Sequence, residues 1–164
     1  MFKQNDKKYN KLVSYIQNNQ NTLYRLAYSY VKNKQIALDI VQESIYKALK
    51  NVDKLKQSKY MKTWLYRIIV NTSISYIRKN RDILITDDMI EIHGDNDEDI
   101  AQKMDLYDAI DKLDEKHKTV VILRYFKDMK FDDISKLIQC NINTVKTRLY
   151  SATDKLKVIM GSDG

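Results

Sequence analysis

Lys130-Phe131-Asp132-Asp133-Ile134-Ser135-Lys136-Leu137-Ile138-Gln139-Cys140-Asn141-Ile142-Asn143-Thr144-Val145-Lys146-Thr147-Arg148-Leu149 reads as two short helices with a tight break between them. Ile134, Leu137 and Ile138 recur at helical spacing and give the first helix one apolar face. Gln139-Cys140-Asn141 interrupts that pattern. Asn141 suits the N-cap of a second helix, because its side-chain oxygen can accept an orphan backbone N–H. The second helix places Val145, Leu149, Ala152 and Leu156 on one side and leaves Asn143, Thr144, Lys146, Thr147, Arg148 and Ser151 on the others. Amides, hydroxyls and cations of this kind reach base edges and phosphates in a major groove. A helix-turn-helix is therefore the first hypothesis. The solvated outer face of an ordinary helical hairpin has the same composition, and Gln139 stands where a left-handed turn favours Gly.

Around this motif lies a chain of 164 residues, 43% hydrophobic, with no Pro and 3 Gly, enough to build a real core in one domain or two small ones. Apolar residues repeat mostly at helical spacing and long strand-like alternation is missing, so the expected class is all-α. The start, Met1-Phe2-Lys3-Gln4-Asn5-Asp6-Lys7-Lys8, is polar and lacks the apolar core of a signal peptide. No run approaches the length of an apolar membrane span. A single cysteine, Cys140, excludes an internal disulfide and a cysteine-based zinc site. The expected location is cytoplasmic. Cys140 reads as a small buried turn residue in preference to a redox sensor.

The formal charge of +7 is unevenly placed. Residues 1–80 carry 16 Lys and Arg against 4 Asp and Glu, a balance of +12. Residues 81–103 carry 2 against 8, a balance of −6, and residues 104–164 carry 11 against 10, a balance of +1. The basic block is thus the N-terminal half, for which a polyanion is a plausible partner. A Lys-rich solvated surface is the plainer alternative. In the acidic stretch, Asp87, Asp88, Glu91, Asp95, Asp97, Glu98 and Asp99 surround His93-Gly94 and oppose a compact core. About 20 such residues at ~3.4 Å each reach up to ~70 Å.

Within the basic half, Lys11 to Asn18 suggests a short helix on Leu12, Tyr15 and Ile16. Thr22 can cap a second, on Leu23, Leu26, Ala27, Tyr30 and Val31. After a break at Asn33-Lys34-Gln35, a third helix carries Ile36, Ile40, Val41, Ile45, Ala48, Leu49 and Val52. Its other face bears Asp39, Gln42, Glu43 and Lys47. Asp39 and Glu43 are four residues apart and share a helix face. Paired carboxylates suit a metal site, acid–base chemistry or docking of a basic partner helix. Docking is favoured, because neither a His nor a third carboxylate lies nearby to complete a site.

The stretch Lys54 to Trp64 is basic and interleaved with aromatics, and it leads into a long helix through about Lys79. There Trp64, Leu65, Ile68, Ile69, Thr72, Tyr76 and Ile77 can face the core, while Lys62, Arg67, Asn71, Ser75, Arg78 and Lys79 line other faces. Cations beside aromatic rings suit single-stranded nucleic acid, whose bases stack while cations follow the backbone. Tyr60 is the better stacking candidate and Trp64 the better core anchor. Past the acidic stretch, Met104, Tyr107, Ile110 and Leu113 mark one helix. Val120, Val121, Leu123, Arg124, Tyr125 and Phe126 mark the next, a scaffold beneath the helix-turn-helix.

Taken together, Asp39-Ile40-Val41-Gln42-Glu43, Thr63-Trp64-Leu65-Tyr66-Arg67-Ile68-Ile69-Val70-Asn71-Thr72 and Thr144-Val145-Lys146-Thr147-Arg148-Leu149 resemble a bacterial RNA polymerase sigma factor of the extracytoplasmic-function (ECF) subfamily. The resemblance implies two small helical domains, 1–80 and 104–164, joined by an acidic flexible linker at 81–103. It implies that Asp39, Gln42 and Glu43 dock on core RNA polymerase. It assigns Lys56, Ser58, Lys59, Tyr60, Lys62, Asn71, Ser75 and Arg78 to melting and holding the −10 promoter element, where an extruded base is captured in a loop. It assigns Asn143, Thr144, Lys146, Thr147, Arg148 and Ser151 to the −35 element in duplex promoter DNA. A partner anti-sigma factor, membrane-bound in many members, is also implied. The chain departs from the family at Ser75, where an acid is common, and at Gln139, where Gly is common.

Other functions fit less well. The two histidines, His93 and His117, have no evident partner, and no glycine-rich phosphate loop or nucleophile motif is present. No enzyme activity, cofactor, metal or small-molecule substrate is expected. A one-component helix-turn-helix regulator would need the N-terminal half as its dimerisation or ligand domain, which leaves the basic loop unexplained.

Overall fold

The apolar stripes become helices. In the computed structural model, which describes residues 2–80 and 105–161, every regular element is helical, as the all-α expectation requires. The chain divides into two compact units, Met1–Thr86 and Asp87–Gly164. The acidic stretch 81–103 with its His93, and Met104 beyond it, lie outside the described residues.

The first unit contains α1 (Phe2–Asn18), α2 (Gln20–Val31), α3 (Lys34–Lys50), two 3₁₀ turns at Val52–Lys54 and Ser58–Tyr60, and α4 (Met61–Lys79). Helices α2, α3 and α4 pack on one another in all three pairings, and α1 lies against α3 and the turn Val52–Lys54. Leu23 and Leu26 of α2, Ile40 of α3, and Leu65 and Ile69 of α4 are fully buried at the centre. Each such side chain contributes about 1.5–3 kcal/mol by leaving water. Trp64 is only half-buried, so it anchors the edge of the core and not its middle.

Three boundaries differ from expectation. Helix α1 begins at Phe2, not near Lys11. Its first turns carry no apolar stripe to reveal them, yet Lys and Gln are good helix formers. Thr22 does not cap α2 but lies inside its first turn. Asn19 stands at the cap position and turns its amide back to the Tyr15 carbonyl at 2.8 Å, satisfying the end of α1 instead. The next break falls at Lys32-Asn33. Lys32 closes α2 in the left-handed conformation (φ 51°), and Asn33 Oδ1 accepts the Ile36 N–H at 3.0 Å to start α3.

The second unit contains α5 (residues 105–111), α6 (Glu115–Val121) running into a π turn at Ile122–Phe126, α7 (Phe131–Ile138) and α8 (Ile142–Gly161). Helix α8 packs against both α6 and α7. Ile134 and Leu137 of α7 meet the buried side of α8, formed by Val145, Leu149 and Ala152. The helix-turn-helix forms as read. Gln139 takes the left-handed conformation at φ 59° and ψ 45°, which lets the Cys140 N–H reach the Ser135 carbonyl at 3.1 Å. Asn141 Oδ1 then accepts the Thr144 N–H at 2.8 Å and opens α8. Cys140 itself is half-buried, with Sγ 3.7 Å from the Ile138 carbonyl oxygen.

Candidate nucleic-acid and partner interfaces

The outer face of α3 gathers Asp39, Gln42 and Glu43, all exposed. Neighbours on the same helix steady the two carboxylates. The Gln35 amide donates to Asp39 Oδ1 at 3.2 Å, and Lys47 Nζ lies 3.1 Å from Glu43 Oε1 while donating to Thr72 Oγ1 of α4 at 3.3 Å. Exposed pairs of this kind add little to stability, so the acids remain available to a partner. The same face carries Leu38, 46% exposed, and Tyr46, 65% exposed. Both escaped the sequence reading, although Leu38, Gln42 and Tyr46 follow at i, i+4 and i+8. Two apolar side chains on a polar face were the available signal.

Between α3 and α4, Lys56, Lys59 and Tyr60 are exposed and Ser58 is half-buried, and Lys62 is exposed in the first turn of α4. The Lys59 ammonium stands 5.1 Å from the centre of the Tyr60 ring, and that of Lys62 stands 5.6 Å from the Tyr66 ring. At the exposed Tyr60, a cation held beside an open ring face can meet a phosphate while the ring meets a base; the Tyr66 ring is buried. Along α4, Asn71, Ser75 and Arg78 are exposed, and Arg67 is half-buried one turn before Asn71. Their spacing of four, four and three residues puts them on one stripe, with Trp64 at its start.

On α8, Asn143, Lys146 and Thr147 are exposed and share one face. Tyr150, 66% exposed, extends that face by one turn and was also missed by the sequence reading. Thr144, Arg148 and Ser151 are half-buried on a different flank. The Thr144 hydroxyl is bonded to Asn141 Oδ1 at 3.0 Å, and Ser151 Oγ lies 3.2 Å from His117 Nε2. The Phe131 ring is held between cations, with the Arg124 guanidinium at 4.5 Å and the Lys146 ammonium at 5.7 Å. Arg124 also donates to the Met129 carbonyl at 2.8 Å, which fixes the chain entering α7.

His117 was expected to lack a partner, and the structure corrects this. Its Nδ1 lies 2.6 Å from Asp114 Oδ1, opposite the contact to Ser151. Asp114 caps α6 by accepting the His117 backbone N–H at 2.9 Å. That bond first, and the imidazole second, hold the Asp114 carboxyl below its usual range, with Lys155 adding to the effect. Ser, His and Asp in this order resemble a nucleophile set, but Ser151 sits inside a helix whose backbone N–H groups are already bonded. The arrangement is a structural clamp. Among the described residues, no group of three or more His, Cys, Asp and Glu side chains could hold a metal ion, and no helix is long and apolar enough to cross a membrane.

These faces lie on segments with known relatives. Residues 15–83 match Sigma-70 region 2, and residues 99–156 match Sigma-70, region 4. The RNA polymerase sigma factor SigV of Bacillus subtilis (strain 168) is 44% identical, over 90% of this chain and 89% of its own length. The ECF RNA polymerase sigma-E factor of Haemophilus influenzae is 30% identical, over 94% of this chain and 88% of its own length. The fold is that of the sigma factor RpoE in its co-crystal structure with the anti-sigma factor NepR from Bartonella quintana, with a TM-score of 0.74 at 22% identity, covering 94% of this chain and 99% of that one. With both regions matched in order along the chain and relatives at this level of identity over nearly its whole length, the chain belongs to the ECF RNA polymerase sigma factors.

Proposed function

We propose that this sigma factor works in the cytoplasm by docking on core RNA polymerase through α3, holding the opened −10 strand with the turn Lys56–Tyr60 and α4, and reading the −35 duplex with α8. As a sigma factor it is a transcription initiation factor and not an enzyme. The carrying observation is that three chemically distinct exposed faces fall on three separate helices of the two matched regions. Asp39, Gln42 and Glu43, with Leu38 and Tyr46 beside them, offer an acidic and apolar ridge to a basic helical partner. Lys56, Ser58, Lys59, Tyr60, Lys62, Asn71, Ser75 and Arg78 offer rings, hydroxyls and cations to an unstacked strand, where pocket contacts offset the cost of extrusion. Asn143, Lys146, Thr147 and Tyr150 offer donors and a cation to a major groove, with Thr144, Arg148 and Ser151 shaping the flank.

The domains are proposed at 1–80 and 104–164, with 81–103 as the acidic linker whose charge suits a cationic polymerase channel. An anti-sigma factor is proposed to hold the protein inactive, and exposed Leu38, Tyr46, Tyr150 and Val158 offer it apolar surface. The test mixes the purified chain, core polymerase and a library of random-sequence duplexes, and sequences the transcripts. Transcripts from a common motif, made only when chain and polymerase are both present, are expected. A chain that binds duplex DNA alone and yields no transcript with polymerase would overturn the reading in favour of a one-component regulator.

A further inference from the structure

Helix α1 holds the chain on both sides of the turn assigned above to the −10 strand. At the upstream end, Lys8 Nζ donates to the Leu55 carbonyl at 2.7 Å. Leu55 closes the 3₁₀ turn Val52–Lys54, and its side chain is buried. Two helical turns further along α1, Tyr15 hydrogen-bonds to Tyr66 in α4, six residues past the turn. The Tyr66 ring is the one beneath the Lys62 ammonium. Leu12 and Ile16 are buried, so the helix joining the two anchors is itself seated in the core. Between the anchors, no side chain from Lys56 to Tyr60 is buried. A turn without buried side chains has little packing to order it, and ordering each residue costs about 1–2 kcal/mol.

We propose that Lys8 is a positioning residue for promoter opening: by fixing the Leu55 carbonyl it sets the Lys56–Tyr60 turn in the shape that receives an extruded base. The inference rests on the proposed function. Its physical content is preorganisation, in which a charge-assisted hydrogen bond made during folding removes an ordering cost from binding. Lys8 need not touch DNA to do this.

The test compares holoenzymes carrying Lys8→Met and Lys8→Arg with wild type. Lys8→Met keeps the apolar stem and removes the donor, whereas Lys8→Arg keeps a donor. Each is titrated with a fluorescent nontemplate-strand oligonucleotide from a promoter selected by the wild-type holoenzyme, and thermal midpoint and core polymerase affinity are measured alongside. Lys8→Met is expected to weaken oligonucleotide binding about tenfold, with Lys8→Arg returning it to within about twofold of wild type and with polymerase affinity unchanged. An unchanged oligonucleotide affinity in Lys8→Met would overturn the proposal, as would a loss matched by an equal loss of polymerase affinity. If the wild-type holoenzyme selects no promoter, the functional reading itself has failed.

Discussion

His117 Nε2 lies 3.2 Å from Ser151 Oγ and so ties the first turn of α6 to the middle of α8. The other ring nitrogen rests on Asp114, the residue that caps α6. One imidazole therefore couples a helix start to the flank of the helix proposed to enter the −35 groove. Its contribution is local order, because a recognition helix that rocks cannot hold several side chains in register with base edges.

Asp114 separates the two parts of this clamp. Asp114→Asn keeps an acceptor at the cap, whereas Asp114→Ala loses it at a cost of about 1 kcal/mol. The charge contribution follows from the carboxyl being held below its ordinary value of 3.8. A depressed folded-state value stabilises the fold above the unfolded value and is lost as pH falls through the folded one. The thermal midpoint of wild type should thus exceed that of Asp114→Asn at neutral pH, with the gap closing as pH drops below 3.8. A gap that stays constant from neutral pH to below that value would show that the charge has no part.

Glu43→Lys should abolish association with core polymerase while the helix content and thermal midpoint stay near wild type. The residue is exposed and its ion pair to Lys47, at 3.1 Å, lies on the same helix. Losing such a pair costs about 0.3–0.5 kcal/mol, too little to unfold the bundle. Reversing a charge in a docking face acts far more strongly, by setting like charges together. Co-purification of Glu43→Lys with core enzyme at wild-type yield would remove α3 from the interface.

Helix α4 was legible in the sequence because apolar residues recur along it at helical spacing, but its buried face was read one strip off: Tyr66, Val70 and Ser73 are buried, whereas Trp64, Ile68, Tyr76 and Ile77 are half-buried. The helix-turn-helix was legible for a different reason: Asn141 announces a cap and Gln139-Cys140-Asn141 breaks the helical period, although Gln139 itself spoke against a left-handed turn. Long-range bonds leave no such local trace. Lys8 and Leu55 are 47 residues apart, and His117 and Ser151 are 34 apart. Leu38, Tyr46 and Tyr150 were passed over because a lone apolar residue on a polar face does not disturb the helical period. Their exposure became visible only once each helix had chosen its buried side.

Lys146→Ala should weaken duplex binding by a similar factor on every promoter and reduce the slope of log affinity against log salt by about 0.9, the value for one phosphate contact. The Lys146 side chain is exposed, with its ammonium 5.7 Å from the centre of the Phe131 ring. That geometry directs the charge without burying it. Holoenzyme titrations of a −35 duplex at four or five salt concentrations would give the slope. An unchanged slope means that Lys146 is a ring contact only and that the phosphate is met elsewhere.

Gln139→Gly should stabilise the second unit. Gln139 sits at φ 59° and ψ 45°, a region where a side chain costs about 1–2 kcal/mol. Glycine removes that strain but gains about 0.4–1 kcal/mol of unfolded-state freedom, so the net benefit is between zero and about 1.6 kcal/mol. For a unit of this size each kcal/mol gained raises the thermal midpoint by about 4–8 °C. The same conformation is required by the bond from the Cys140 N–H to Ser135, so a β-branched residue should do the opposite. Thermal melts of Gln139→Gly and Gln139→Val decide the matter. If both shift the midpoint in one direction, the backbone at Gln139 is not what holds the turn.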